Sequence, residues 1–218
     1  MLGFFHTGAV HVEAFEALVQ AAQPGIVTRH VVREDLLASA VAAGEVTNDI
    51  ATAAQSEVGK LLQAGASVVV CTCTTLGSAA EATPTNGRVT VLRVDRPLAE
   101  QLVARGRDIL VVAALPSAMA TAVQLLNDIA QRRKVRLNLR QLPCNEAWPH
   151  FLSGDRLAYA QYVAATVEQH AKPGDQVMLA QASMAPAQPL IQRRDIEVAT
   201  TPALGIRSAL AAYARITN

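Results

Sequence analysis

The sequence predicts an α/β fold of two similar domains. Each is expected to carry a parallel sheet of about four strands, and the two to be related by pseudo-two-fold symmetry. Three observations predict it. Short β-branched apolar runs alternate with longer segments of helical period, as parallel βα units require. The strand-like runs recur with one rhythm in both halves. The chain, 218 residues of which 51% are hydrophobic, can fill one large core or two smaller ones.

The strand-like runs of the first half are Leu2–Phe5, Ile26–Val32, Val68–Cys71 and Val89–Val94. Those of the second are Ile109–Ala113, Val135–Leu139, Val177–Ala180 and Ile196–Ala199. Steps between successive starts are 24, 42 and 21 residues, then 26, 42 and 19, a short-long-short pattern repeated at an offset near 107. At that offset Phe4-Phe5-His6-Thr7 meets Val111-Val112-Ala113-Ala114. One residue further on, Val70-Cys71-Thr72-Cys73 meets Met178-Leu179-Ala180-Gln181. These pairs agree in apolar pattern, not in identity. Eight βα units would also suit a closed barrel, but that fold usually needs about 250 residues, and the two-fold rhythm favours paired sheets.

The helices follow from their faces and ends. Ile50, Ala54, Val58, Leu61 and Leu62 share one helical face, with Thr47 or Asn48 as N-cap and Gly65 as the stop. Pro97–Arg105 has Pro at its first position and Gly106 just past its end. Asp155–Ala171 is capped by Asp155 and followed by Pro173-Gly174. Thr201–Ile216 is an apolar helix with no strand after it, expected to pack back onto the first half. The expected domains are therefore 1–96 together with 200–218, and 97–199.

Composition excludes several function classes. Lys+Arg of 19 against Asp+Glu of 18 leaves a formal charge of +1, which offers no electrostatic grip on nucleic acid or anionic lipid. Aromatic residues at 4% argue against a base-stacking surface. The first residues show no basic n-region with an apolar run, and no stretch approaches the roughly 18–20 apolar residues of a membrane helix. Three cysteines, two of them nearly adjacent, are expected to be reduced thiols in a cytoplasmic compartment.

In open parallel sheets, ligands bind beyond the carboxyl ends of the strands, where N–H groups are free. The candidate ends are His6-Thr7-Gly8, Cys71–Thr75, Ala114–Ser117 and Gln181–Met184. Thr7, Thr74, Thr75, Ser117 and Ser183 can donate to a bound carboxylate, or simply cap helices. Glycines are scattered singly and no phosphate-cradling loop is present, so no cofactor is expected. Cys71 and Cys73 lie where the chain should turn into a helix, whose N-terminus would stabilise a thiolate. No second Cys/His pair with ligand spacing supports a metal, and two inert buried thiols remain the bland alternative.

A strand, then Cys-Thr-Thr, then a helix, within two similar α/β halves, resembles the aspartate/glutamate racemase superfamily. That superfamily includes hydantoin racemases, maleate isomerases and arylmalonate decarboxylases. Leu2–Phe15, Val68–Ala80, Asp108–Leu126 and Gln176–Ala187 carry the resemblance. It implies a cofactor-independent enzyme with one cysteine in each half, acting on opposite faces of the substrate's α-carbon. It further implies a small carboxylate-bearing substrate, and a homo-oligomer, since such proteins often dimerise. The family pattern Cys-(Asn/Thr/Ser)-Thr falls on Cys73-Thr74-Thr75, with Cys71 as the other alignment. The turn after the first strand falls on His6-Thr7. The family's second motif, Leu-Gly-Cys-Thr, meets Leu179-Ala180-Gln181-Ala182, so the second cysteine is a glutamine. Gln181 does not titrate, yet it can hydrogen-bond a substrate carbonyl or an enolate-like anion.

Three readings follow. In the first, Cys73 is acid or base at one face of a carbon alpha to a carboxylate, with His6 serving the other; Cys144 is a second candidate, or sits with Trp148 in a loop over the cleft. One-sided decarboxylation with protonation needs a single thiol and fits the missing partner. In the second, Cys73 is a nucleophile activated by His6, in isomerase or hydrolytic chemistry. In the third, the protein binds a small carboxylate without turning it over. Asp95-Arg96-Pro97 reads as a surface ion pair or helix start, with a charge near the cleft as the other alternative. Arg29-His30 and Arg33-Glu34-Asp35 read as polar edge and capping residues, with Arg29 also able to reach an anionic substrate, and Arg132-Arg133-Lys134 as a solvated helix end.

Overall fold

A computed structural model describes residues 1–106 and 108–217. The chain divides into two compact units, Met1–Arg96 with the C-terminal helix and Pro97–Thr201. The first unit contains β1 (Leu2–His6), α1 (Val10–Ala22), β2 (Thr28–Val32), α2 (Glu34–Ala43), α3 (Asn48–Gln63), β3 (Val68–Cys71), α4 (Gly77–Glu81) and β4 (Thr90–Arg93). Helix α5 (Arg96–Arg105) leads to β5 (Asp108–Ala113), α6 (Pro116–Arg133), β6 (Asn138–Pro143), α7 (Trp148–Leu152), α8 (Arg156–His170), β7 (Gln176–Leu179) and β8 (Glu197–Thr200). Helix α9 (Pro202–Thr217) returns to the first unit.

Both units hold a four-stranded, all-parallel sheet, in the orders β2-β1-β3-β4 and β6-β5-β7-β8. These orders are the same once strands are counted within each unit. Observed strand starts step by 26, 40 and 22 residues and then by 30, 38 and 21, so the short-long-short rhythm stands. The largest boundary difference is β6, which begins three residues after Val135. Lys134 ends α6 in the left-handed region (φ 55°), and the Val135 N–H donates back to the Ala130 carbonyl. Val135 is thus spent on closing the helix.

The central strands read as uninterrupted apolar runs because both faces are covered. β3 is Val68-Val69-Val70-Cys71 and buried throughout. Against it lie Ile50, Ala54, Val58 and Leu61 of α3, in a core that also holds Phe5, Leu76 and both Cys71 and Cys73. Thr47 caps α3 by accepting from the Ile50 N–H, and Gly65 (φ +95°) ends it, a conformation that favours glycine. The second core gathers Leu110, Val112, Val163, Val167, Val177 and Leu179 under α8, whose Asp155 cap accepts from the Ala158 N–H. Helix α9 packs on α1 and β3. Its Gly205 lies so close to β4 that a Cβ would fall 2.5 Å from the Val94 side chain and 2.9 Å from its carbonyl oxygen. No described helix is long and apolar enough to cross a membrane.

Candidate active site

At the carboxyl end of the first sheet, pairing runs one residue past β3. The Thr72 N–H donates to the Phe5 carbonyl at 3.0 Å, and the Val94 N–H to the Cys71 carbonyl at 2.9 Å. The chain then leaves the sheet through Cys73–Leu76. The helix expected there to stabilise a thiolate is α4, which is only five residues long. Its dipole is correspondingly small, and individual donors do that work instead. The Cys73 sulfur is held by the Thr7 hydroxyl and the N–H groups of Thr75 and Leu76. Burial outweighs these bonds and pushes the Cys73 thiol above its ordinary range. The group therefore rests protonated, with donors in place for the thiolate it becomes on losing its proton. Cys71 is fully buried, its Sγ directed at the Cys73 carbonyl (3.5 Å), and burial pushes it well above the ordinary thiol range.

Beside this turn lies a buried ion pair. Arg93 Nε and Nη2 donate to the two Asp95 oxygens at 2.7 and 2.8 Å, and Arg93 Nη1 donates to Ser78 Oγ. The side chains are 2% and 0% exposed. Of the two readings of Asp95-Arg96-Pro97, the helix start holds, since α5 begins at Arg96; the surface ion pair is corrected, because Asp95 turns inward to Arg93 while Arg96 pairs with Glu81. Gly77 admits the guanidinium, since a Cβ there would come within 2.9 Å of Arg93 Nε. The Asp95 carboxylate also disfavours ionisation of both Cys71 and Cys73.

His6 is fully buried at the end of β1. Both ring nitrogens are engaged, Nδ1 with Thr72 Oγ1 at 2.8 Å and Nε2 with His30 Nδ1 at 2.9 Å. His30 Nε2 in turn lies 3.2 Å from Glu16 Oε2, and Glu16 also accepts from the Thr28 hydroxyl and from Gln20. The Thr28 hydroxyl is the main reason the Glu16 carboxyl titrates below its usual range. Burial, reinforced by His30 and then His11, lowers His6 to about 3. It is a neutral imidazole. The sequence offers His6 for the face opposite Cys73 or as the base that activates it; its ring bonds run to Thr72 and His30, and its neighbour Thr7 supplies the hydroxyl to the thiol.

The second unit repeats the backbone of this site with different side chains. The Ala180 N–H donates to the Val112 carbonyl as Thr72 does to Phe5, and the Cys144 N–H to Ala113 as Arg33 does to His6. These bonds put Gln181 at the position of Cys73, Ala180 at that of Thr72, and Ala113 and Ala114 at those of His6 and Thr7. Gln181 is buried and its Oε1 accepts from the Ala114 N–H at 2.6 Å. Ser183 bonds the Tyr159 hydroxyl at 3.0 Å, and Ser117 is buried in the first turn of α6. Thr74 and Thr75 are buried in the thiol turn of the first unit. Cys144, one of whose expected places was a loop cover, is a core residue 1% exposed at the end of β6, with its thiol 3.6 Å from Thr166 Oγ1. Burial pushes that thiol up as well. Trp148 packs against the same core and stacks on Phe151.

Among the described residues, no group of three or more His, Cys, Asp or Glu side chains has the arrangement to hold a metal ion. Sequence reasoning missed Glu16, His30 and Arg93. They come from three separate elements, α1, β2 and β4, and only the tertiary fold brings them against the residues they bond.

No family model and no curated protein sequence matches the chain. Solved structures do. Glutamate racemase from Thermus thermophilus is similar over 98% of this chain and 80% of its own, with TM-score 0.69 and 17% identity. Aspartate racemase from Picrophilus torridus covers 95% of this chain and 93% of its own, with TM-score 0.66 and 14% identity. A mutant arylmalonate decarboxylase in its liganded form covers 97% and 91%, with TM-score 0.52 and 17% identity. At these identities the likeness is one of architecture: the chain has the α/β fold shared by aspartate and glutamate racemases and arylmalonate decarboxylase.

Proposed function

We propose that this protein is a racemase-like or decarboxylase-like enzyme that acts without a cofactor on a small acid or amino-acid derivative. The chemistry takes place at the carbon alpha to a carboxylate, with Cys73 as its single proton-transferring thiol. One observation carries the reading: Cys73 is held by the Thr7 hydroxyl and two backbone N–H groups, at a strand end, while burial keeps it protonated at rest. Such a thiol is poised as an acid. When the bond to a departing carboxylate breaks and carbon dioxide leaves a carbanion or enediolate at the α-carbon, the S–H bond breaks, a C–H bond forms, and the thiolate falls onto donors already in place. The thiolate then takes its replacement proton from water. The solved structures of like fold include racemases and a decarboxylase, which supports this class of chemistry.

Gln181, which holds in the second unit the position that Cys73 holds in the first, is an amide and cannot exchange a proton as a thiol would. We assign Thr7, Thr74 and Thr75 the shaping of the thiol turn.

The test is incubation in deuterated water with a panel of malonates, amino acids and hydantoins. A turned-over substrate should carry solvent deuterium at its α-carbon, and Cys73→Ser should abolish turnover while leaving ligand-induced thermal stabilisation within a few-fold in apparent affinity. Product without deuterium, or unchanged turnover in Cys73→Ser, defeats the proposal. Stabilisation by a panel member that is never consumed identifies a binding protein instead.

A further inference from the structure

Three of the five histidines in the chain, His6, His11 and His30, meet on one face of the first sheet. Two of them belong to a hydrogen-bonded series that starts near the surface and ends between the two cysteines. Glu16 on α1 is the outer member, its side chain 39% exposed. His30 Nε2 is 3.2 Å from it, His6 Nε2 is 2.9 Å from His30 Nδ1, and Thr72 Oγ1 is 2.8 Å from His6 Nδ1.

The order of protons along this series follows from its outer end. An ionised carboxylate only accepts, so His30 donates to it from Nε2 and, in its neutral form, presents Nδ1 as an acceptor. His6 must then donate from Nε2 and accept at Nδ1, which leaves Thr72 as the donor to His6. Thr72's other acceptor, the Phe5 carbonyl, is farther at 3.3 Å. Each link settles the next, and the last one pins the residue between Cys71 and Cys73. The backbone of His6 is pinned by the same bonds, and the next residue is Thr7, whose hydroxyl meets the Cys73 sulfur.

We propose that Glu16 and His30 are positioning residues: they fix the tautomer of His6 and, through His6 and Thr72, hold the Thr7 hydroxyl and the thiol turn in register on Cys73. The proposal concerns the thiol and rests on the reading above only for its bearing on catalysis. His6 acts through its neighbours, with no proton exchanged with substrate. The other groups facing this set are His11 and Phe15 on α1 and Phe4 on β1; those facing Cys73 are Thr7, Cys71 and Asp95.

The experiment needs no substrate. Alkylation of Cys73 by iodoacetamide, resolved by peptide mass spectrometry across pH, gives the midpoint of thiol ionisation. His30→Phe keeps the ring stacking on Phe4 and His6 but removes both hydrogen bonds, and should raise that midpoint by about half a unit or more. His30→Asn, whose side-chain oxygen can stand in for Nδ1, should restore most of the wild-type value. A midpoint unchanged in folded His30→Phe, or moved equally in His30→Asn, overturns the proposal. Ring-nitrogen NMR of the wild-type protein is the second measurement: His6 and His30 should both be Nε2–H tautomers at neutral pH, and an Nδ1–H tautomer at either overturns it. A shifted midpoint in a protein that puts no deuterium into any substrate would sustain the positioning role and remove the catalytic one.

Discussion

The ends of β3 and β7 share a backbone and little else. In the first unit the turn after β3 is surrounded by His6, Thr7, Thr72, Arg93 and Asp95. The matching positions around Gln181 hold Ala113, Ala114, Ala180, Thr200 and Pro202, with register set by equivalent bonds to Phe5 and Val112. One turn is wired with titratable and hydroxylic groups and the other is almost wholly neutral. A repeated fold supplies two equivalent places for chemistry, and side chains decide which is used. Here the means to hold and tune a proton are concentrated in the first unit.

The largest test breaks the buried charge on the side of the wired turn. Asp95→Asn leaves the Arg93 guanidinium buried without its counter-ion and should cost about 3–5 kcal/mol, read from denaturant unfolding. Recovery of stability to wild type would mean that the pair is dispensable.

Next comes the pH response of the same side. His6 titrates near 3 when folded and near 6.5 when unfolded, so between these values the unfolded chain binds more protons. Stability should be complete above the ordinary histidine range and fall by a few kcal/mol as pH drops toward 3. Urea midpoints measured across pH should show this slope, and His6→Gln should flatten it. An equal slope in that variant would assign the effect elsewhere.

The smallest effect belongs to the neutral turn. Gln181→Leu removes the acceptor of the buried Ala114 N–H and should cost about 1–3 kcal/mol in thermal or denaturant unfolding. No measurable loss would mean that water or another group takes over, and that Gln181 is held for a ligand alone.

Much of this was legible in the chain itself. Alternating apolar runs and helical faces mark the eight strands of the described residues to within a few residues, with β6 displaced because Val135 closes a helix instead of opening a strand. The strand-end rule picked out Thr7, Cys73 and Gln181, the last two of which share one backbone register in the two units. Legibility failed where a role depends on a partner from another element. His30 reads in isolation as a polar residue on an edge strand, and its meaning appears only when β2 lies beside β1 with Phe4 opposite it. Asp95 reads as part of a charged surface run until β4 turns it inward onto Arg93.

The sequence alone therefore determined the two-fold α/β plan, the thiol at the end of the third strand and the glutamine at its repeat. Those are matters of local period, β-branching and residue identity, which neighbours along the chain specify. Only tertiary structure decided that the thiol is fed by Thr7 and backbone N–H groups instead of by a helix dipole or His6. It also decided that His6 is a neutral link in a series from Glu16 to Thr72. Hydrogen-bond partnership and desolvation depend on groups far apart in sequence, and they exist only once the strands are side by side.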